Sequence, residues 1–353
     1  MSTLIRRLKE NGIQRRRQSY TLTEFQRMER AIITEINGPN CLLGYRLMWN
    51  RLRDAHGIYV PRSVVMDALK DIDPSGVEIR ASKRLKRRTY VSLGPNFCWH
   101  LDGYDKLKPY GFSIHGCIDG YSRKLLWLEL LRSNKDPLLV ANCYLQFLSD
   151  SNGKLPRLIR ADHGSENVWV CAIQCYLRRN HDDPKSGEKS FLFGTSHANQ
   201  RQEAWWSILK RLNSSWIINL FKAMINNEEY DPGDELQLAC AQFVFSPLIA
   251  KSLRDIKTLW NHHYIRKSEH SFVHGRPDEL FSIPRETHYD QSFEADWDDL
   301  VEMTELVDDQ INNEADLLEE YFKYLSTQLL IDCTNDWETA RLNFLRLVES
   351  ARN

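Results

Sequence analysis

Along the first eighty residues apolar side chains return every three or four positions, the spacing of helices with one buried face. Thr21 followed by Glu24 makes a capping box, and Phe25, Met28, Ile32 and Ile36 continue behind it until Asn37, Gly38 and Pro39 stop the run. Residues 42–55 predict a second helix, with Tyr45, Met48 or Trp49, and Leu52 on one face and Gly57 at its end. After a short link, Pro61 opens a third helix whose inner face is Val64, Val65, Ala68, Leu69 and Ile72, ending before Pro74 and Gly76. Three short helices with a turn between the last two outline a helix-turn-helix-like unit. Arg62, Ser63, Met66 and Lys70 then face outward, and Arg51 and Arg53 are candidate phosphate contacts. The same pattern also suits a plain helical support domain.

Beyond residue 90 the period shortens to that of strands. Residues 97–102, 112–119 and 125–130 predict three strands, with a tight turn at 120–123. Pro137 opens a helix to about 149, 155–162 is a fourth strand, and 167–179 is a helix. A polar loop, HDDPKSGEK, leads to a short strand in SFLFG. Helical spacing resumes over 202–212 and, after a break, over 216–225. Residues 236–245, 253–264 and an acidic stretch from about 312 read as further helices. The fold class is therefore α/β: a mixed sheet with helical cover, a helical unit in front and a mainly helical C-terminal region. The expected divisions are a basic arm at 1–20, the helix-turn-helix-like unit at 21–76, a basic linker at 77–90, the core at 91–225 and the C-terminal region at 226–353.

Composition narrows the class. In 353 residues, 42% hydrophobic and 27% charged, there is material for a folded core. No apolar run near the roughly 20 residues of a membrane span is evident, and the N-terminus has no uninterrupted apolar segment, so membrane insertion and secretion are not expected. Eight cysteines without framework spacing suit reduced thiols, with Cys171 and Cys175 on one helix face. The net charge of −1 hides a segregation. Residues 1–90 carry 19 Lys or Arg against 9 Asp or Glu, whereas 291–353 carry 4 against 16. The basic head suits a polyanion, and the Lys83, Arg84, Lys86, Arg87, Arg88 cluster reads both as nucleic-acid contact and as a nuclear-import signal. A nuclear protein, present also in the cytoplasm, is expected. The acidic tail is expected to dock on a basic surface or on a second subunit.

Three acids sit where strands and helices change. Asp102 closes the first strand, Asp162 closes the fourth, and Glu203 opens a helix after the fifth. Carboxylates gathered at one sheet edge repel, and hard divalent cations relieve that repulsion while activating an oxygen nucleophile at a phosphate. WHLDGYDKLKPYGFSIHGCIDGYSRKLLWLELL resembles the opening of the integrase core of retroviral integrases and related cut-and-paste transposases. RADHGSENV resembles the turn with the second acid, and NQRQEAWWSILK the helix with the third. The resemblance covers about residues 91–225. It implies a ribonuclease-H-like fold, Asp102, Asp162 and Glu203 as catalytic and metal-holding residues, two Mg²⁺ or Mn²⁺ ions, and DNA cleavage or joining as the activity. The second interval, 41 residues, exceeds the family's usual spacing, and the HDDPKSGEK loop holds the surplus.

The resemblance also bears on the partners. DNA is the expected partner, with Arg62, Lys70, Lys86, Arg87, Arg88, Arg201 and Lys210 as candidate contacts; homo-oligomers and a companion protein fit the family. The N-terminal His-His-Cys-Cys zinc module of viral integrases is missing from its expected spacing, which points to a transposon-derived protein. His262, His263 and His270 lack a fourth well-placed ligand, so DNA contact or domain packing suits them better than metal. Asp119 reads as a turn-closing residue, Asp105 as peripheral, and Trp205 and Trp206 as packing or base-stacking aromatics. A domesticated, noncatalytic DNA-binding or assembly protein is the alternative from a different class.

Overall fold

The architecture is that of a computed structural model and is described for residues 21–81, 92–194, 199–267, 273–283, 288–312, 317–331 and 336–352. The basic arm at 1–20, the cluster from Lys83 to Arg88 and His270 lie outside the described residues.

The N-terminal helices follow their sequence signals. Helix α1 (Leu22–Ile36) starts at a capping box: the Thr21 hydroxyl accepts from the Glu24 amide at 3.2 Å, and the Glu24 carboxylate accepts from the Thr21 amide at 3.0 Å. Helix α2 (Tyr45–His56) ends at Gly57, whose φ of 61° is a left-handed cap that glycine adopts freely. Helix α3 (Arg62–Ile72) follows the short link, and its outer face exposes Arg62, Ser63, Asp67 and Lys70 with Met66 half-buried. Pro74 does not end the helical region; it opens a further helix, α4 (Pro74–Ala81). A proline lacks only a donor that the first turn leaves unused, and the Asp73 carboxylate caps that turn by accepting from the Gly76 amide at 2.9 Å.

The central sheet comprises β1 (Cys98–Tyr104), β2 (Ser113–Asp119), β3 (Leu125–Leu131), β5 (Leu158–Ala161) and β6 (Phe191–Phe193), in the order β3-β2-β1-β5-β6. The first three are antiparallel, while β5 and β6 run parallel to β1. The expected single strand at 155–162 is interrupted at Pro156, which has no N–H for a ladder. The piece before it, β4 (Lys154–Leu155), pairs instead with β7 (Phe293–Glu294).

In chain order the remaining helices are α5 (Pro137–Asp150), α6 (Val168–Leu177), α7 (Gln200–Leu209), α8 (Ser215–Asn226), α9 (Glu235–His262), α10 (Pro277–Ser282), α11 (Trp297–Asn312), α12 (Leu317–Gln328) and α13 (Trp337–Arg352). Helices α5, α6 and α11 cover one face of the sheet, around Trp99, Trp127, Tyr144 and Val307. The other face meets α7, α8 and α9, and its core runs on without a gap through Phe322 and Phe344 and into the N-terminal helices at Met28, Leu52 and Leu69. This is a ribonuclease-H-like mixed sheet with helical regions on both sides in sequence.

Two expected breaks are absent. Between α7 and α8 a π-helical turn (Lys210–Ser214) carries the chain through, and Asn213 donates to the Ser252 hydroxyl of α9 at 2.6 Å. Residues 236–262 form one helix with Pro247 inside it. An interior proline costs about 3 kcal/mol, but the flanking Phe245, Leu248 and Ile249 are all buried, at roughly 1.5–3 kcal/mol each. By length and composition α9 is long and apolar enough to cross a membrane, which corrects the expectation that no such segment exists. Here it lies along the sheet, and the Asn261 amide accepts from the Leu125 N–H and donates to the Leu125 carbonyl, capping the edge strand β3.

Arg51 is also reassigned. Its guanidinium, expected to reach phosphate, lies between Glu35 at 2.9 Å and Asp255 of α9 at 3.2 Å, joining the N-terminal helices to the core. The acidic tail docks on its own chain. Arg179 grips Asp299 of α11 through two nitrogens at 2.8 and 3.0 Å, and Arg132 pairs with Glu319 at 2.8 Å.

Candidate active site

The spacing of the two aspartates is the register of the sheet. In the parallel pair, Cys98 stands beside Leu158, Trp99 beside Ile159 and His100 beside Arg160, a constant offset of 60. Asp102 lies two residues beyond this register within β1, and Asp162 follows directly on the last residue of β5 with the same offset of 60 in sequence. Alternation then decides the face. Trp99, Leu101, Ile159 and Ala161 enter the core under α5 and α6, so Asp102 takes the other face, beneath α7, where Trp206 bonds it.

Helix α7 is fastened to that face by polar bonds. The Asn199 side chain at its start donates to the Leu101 carbonyl at 2.6 Å and accepts from Nδ1 of His100 at 2.7 Å. Because the Asn199 amide nitrogen is already committed, His100 carries its proton on Nδ1. Burial holds the ring neutral, with its pKa pushed down to about 3. Asn199, Gln202 and Trp206 recur at i, i+3 and i+7 and face the sheet, and Glu203 lies beside that stripe. Gly116, opposite Asp102 on β2, makes the approach possible. A Cβ there would stand 2.9 Å from the Trp206 ring and 3.0 Å from the Gln202 amide nitrogen.

Asp102, Asp162 and Glu203 are each half-buried. Burial foremost, then the negative charges of Asp162 and Glu203, pushes the Asp102 carboxyl up to about 7; the indole N–H of Trp206, donating to its Oδ2 at 2.9 Å, acts in the opposite direction. Carboxylate oxygens are the donor type that a hard divalent cation takes. Among the described residues no three His, Cys, Asp or Glu side chains stand at metal-coordinating spacing. The triad is thus a donor set rather than a closed cage.

Around the triad, Asp162 accepts from the Gly164 amide at 3.3 Å and from the Asn167 side chain at 3.2 Å, which also reaches Glu166 at 3.2 Å. The Glu166 carboxyl is raised by burial and by Asp162 and Asp105, with Lys135 opposing. Asp105 is bonded to Asn134 at 2.6 Å. Asp119 is fully buried and accepts from Asn96, Tyr121 and Ser122, closing the β2–β3 turn as its sequence position suggests.

The candidate DNA contacts are dispersed. Arg62 is exposed and stacks on Trp49 at 4.4 Å, Lys70 is exposed beside Asp67 at 3.5 Å, and Lys210 is exposed at the end of α7. Arg201 donates to the Gly120 carbonyl at 3.0 Å, tying α7 to the β2–β3 turn. Lys86, Arg87 and Arg88 lie outside the described residues. His263 packs its ring against Trp260 at 4.1 Å, whereas His262 is exposed and faces Asp278 at 3.3 Å. Trp205 is buried against Trp260. Sequence reasoning missed Trp206 as a partner of Asp102 and Asn199 as the anchor of α7. The signal was there in the i+3 step from Glu203 to Trp206 and the i−4 step to Asn199.

A mixed sheet of this order with helices on both faces is the architecture of a ribonuclease-H-like core. The family model for the integrase core domain matches residues 89–284, more than half of the chain, and the protein belongs to that family. The match runs past residue 225 and includes all of α9. Among solved structures, the chain is similar to one in the cryo-EM structure of the simian T-cell lymphotropic virus intasome in complex with PP2A regulatory subunit B56 gamma. The identity is 14%, over 72% of this chain and 76% of that one, with a TM-score of 0.36. No curated protein matches the chain.

Proposed function

We infer that the protein is a metal-dependent DNA polynucleotidyl transferase that cleaves or joins phosphodiester bonds in the manner of an integrase or transposase. The observation that supports this reading is an integrase-family core in which the Asp102 carboxyl is raised first by burial and also by the charges of Asp162 and Glu203. In the reaction, water for cleavage or a DNA 3′-hydroxyl for joining attacks phosphorus as the opposite P–O bond breaks. Asp102, Asp162 and Glu203 would hold two Mg²⁺ or Mn²⁺ ions, which when bound supply positive charge at the attacking and leaving oxygens. On this reading the protein's own part is placement: β1 and the end of β5 carry two of the carboxylates, and α7, held by the Asn199 anchor, carries the third. Exposed Arg62, Lys70 and Lys210 supply phosphate contacts.

The test is a cleavage and strand-joining assay on varied DNA ends with Mg²⁺ and Mn²⁺, comparing the parent with Asp102→Asn, Asp162→Asn and Glu203→Gln. Turnover lost in all three supports the reading. Turnover unchanged in all three, from matched purifications, removes the triad from the active site. Robust DNA binding without turnover in any assembled form favours the domesticated binding protein.

A further inference from the structure

Trp206 is locked more firmly than packing alone requires. Its ring lies 5.1 Å from that of Tyr104 and against the bare backbone of Gly116, and it is 8% exposed. Its one polar atom, Nε1, points at Oδ2 of Asp102. An indole nitrogen only donates and a carboxylate only accepts, so this bond has a single polarity and orients both groups. A free carboxylate turns readily about its terminal torsion, whereas one oxygen held by a fixed ring leaves the other in a set direction. The neighbouring Trp205 is a natural control. It is more deeply buried, 1% exposed, and packed on Trp260 at 4.6 Å, but its Nε1 has no partner among the described residues.

Resting on the catalytic reading above, we propose that Trp206 is a positioning residue: its indole N–H holds Oδ2 of Asp102 so that Oδ1 is presented to the divalent cation and the scissile phosphate. Groups that hydrogen-bond a metal ligand from behind typically change metal affinity about 10–100-fold when removed. Trp206 fills that place for Asp102, and it does so from the same helix that carries Glu203. One segment thereby supplies one acid of the triad and orients another.

The experiment uses the full chain without DNA. Mn²⁺ binding is followed by electron paramagnetic resonance in the parent, Trp206→Phe, Trp205→Phe and Asp102→Asn, with thermal unfolding alongside. The indole N–H signals of the ten tryptophans are recorded by ¹⁵N NMR in the parent and in Asp102→Ala. Mn²⁺ affinity is expected to fall about tenfold or more in Trp206→Phe and to stay at the parental value in Trp205→Phe. The signal absent from Trp206→Phe is expected to move in Asp102→Ala. Parental Mn²⁺ affinity in a folded Trp206→Phe chain overturns the proposal, and so does a Trp206 signal indifferent to Asp102→Ala, which decides the matter if Trp206→Phe does not fold. A parent chain that binds no Mn²⁺ overturns the catalytic reading itself and the proposal with it. Binding lost in Asp102→Asn but kept in Trp206→Phe overturns only the role of Trp206.

Discussion

Strand β1 has two faces made from alternate residues of one heptapeptide, and they do opposite things. Trp99 packs edge-on against Phe147 at 5.2 Å, Tyr144 at 6.3 Å and Trp127 at 6.5 Å, and its indole N–H is satisfied by the Asn96 side chain at 3.0 Å. That face is apolar throughout, with Leu101 beside it. The other face carries His100, Asp102 and Tyr104 under α7. His100 is fully buried and survives there by remaining neutral and bonded to Asn199; Asp102, two residues further along the strand, is half-buried and keeps a carboxyl that burial foremost, and then nearby negative charge, pushes toward neutrality. The first face is packed for stability, and the second carries the candidate chemistry. The division follows from period-two geometry, which lets one strand serve both without compromise.

On the proposed reading, the largest effect should come from the three acids. Asn at 102 or 162, or Gln at 203, is expected to lower the rate of cleavage and joining at least about 10³-fold, roughly 4 kcal/mol of transition-state stabilisation, with the melting temperature retained or raised. The converse substitution, Trp99→Ala, empties the packed face and should cost about 3–5 kcal/mol of stability by chemical denaturation. A loss below about 1 kcal/mol would show that this face does not carry the core.

The packed face was the more legible in the sequence. Alternation over 98–131 located β1, β2 and β3 within a residue or two, and Thr21, Glu24 and Gly57 marked helix ends because a cap is a local interaction between near neighbours. What escaped were features decided by distant partners. The rule that a proline ends a helix fails at Pro247, because burial on both sides outweighs one missing bond. Arg51 looked like any surface arginine, since Glu35 and Asp255 are remote in sequence. The acids of the site were legible by resemblance, and their offset of 60 acquires a physical meaning only with the parallel register of β1 and β5. Trp206 was visible as an aromatic but not as the partner of Asp102.

The reactive face also predicts a pH dependence with a definite sign. The Asp102 carboxyl is raised from 3.8 to about 7 in the folded chain. The folded state therefore binds this proton more tightly than the unfolded state. The stability so gained is complete below the unfolded value and is lost as pH rises through the folded one. Without metal, Asp102→Asn should stabilise the chain by about 1–3 kcal/mol at pH 8, a figure reduced for partial solvent access, and by almost nothing below pH 4. His100 and His115 are common to both chains and cancel in the difference. Equal denaturation midpoints for parent and variant from pH 4 to 8 would place Asp102 in ordinary solvent and dissolve the contrast with Trp99.

The smallest effect on stability belongs to a region remote from both faces. Arg62 is exposed at the start of α3 and makes one cation–π contact, with Trp49 at 4.4 Å, an arrangement worth about 0.5–1 kcal/mol at a surface. Arg62→Ala should therefore change stability by no more than that. If the guanidinium meets a DNA phosphate, the same substitution should weaken binding about equally across sequences and lower the salt dependence of log affinity by about one unit, because one fewer counterion is released. A change in sequence preference would instead assign Arg62 to a base edge. An unchanged salt slope would remove it from the DNA surface, leaving α3 as support for the core that Arg51 already ties to α9.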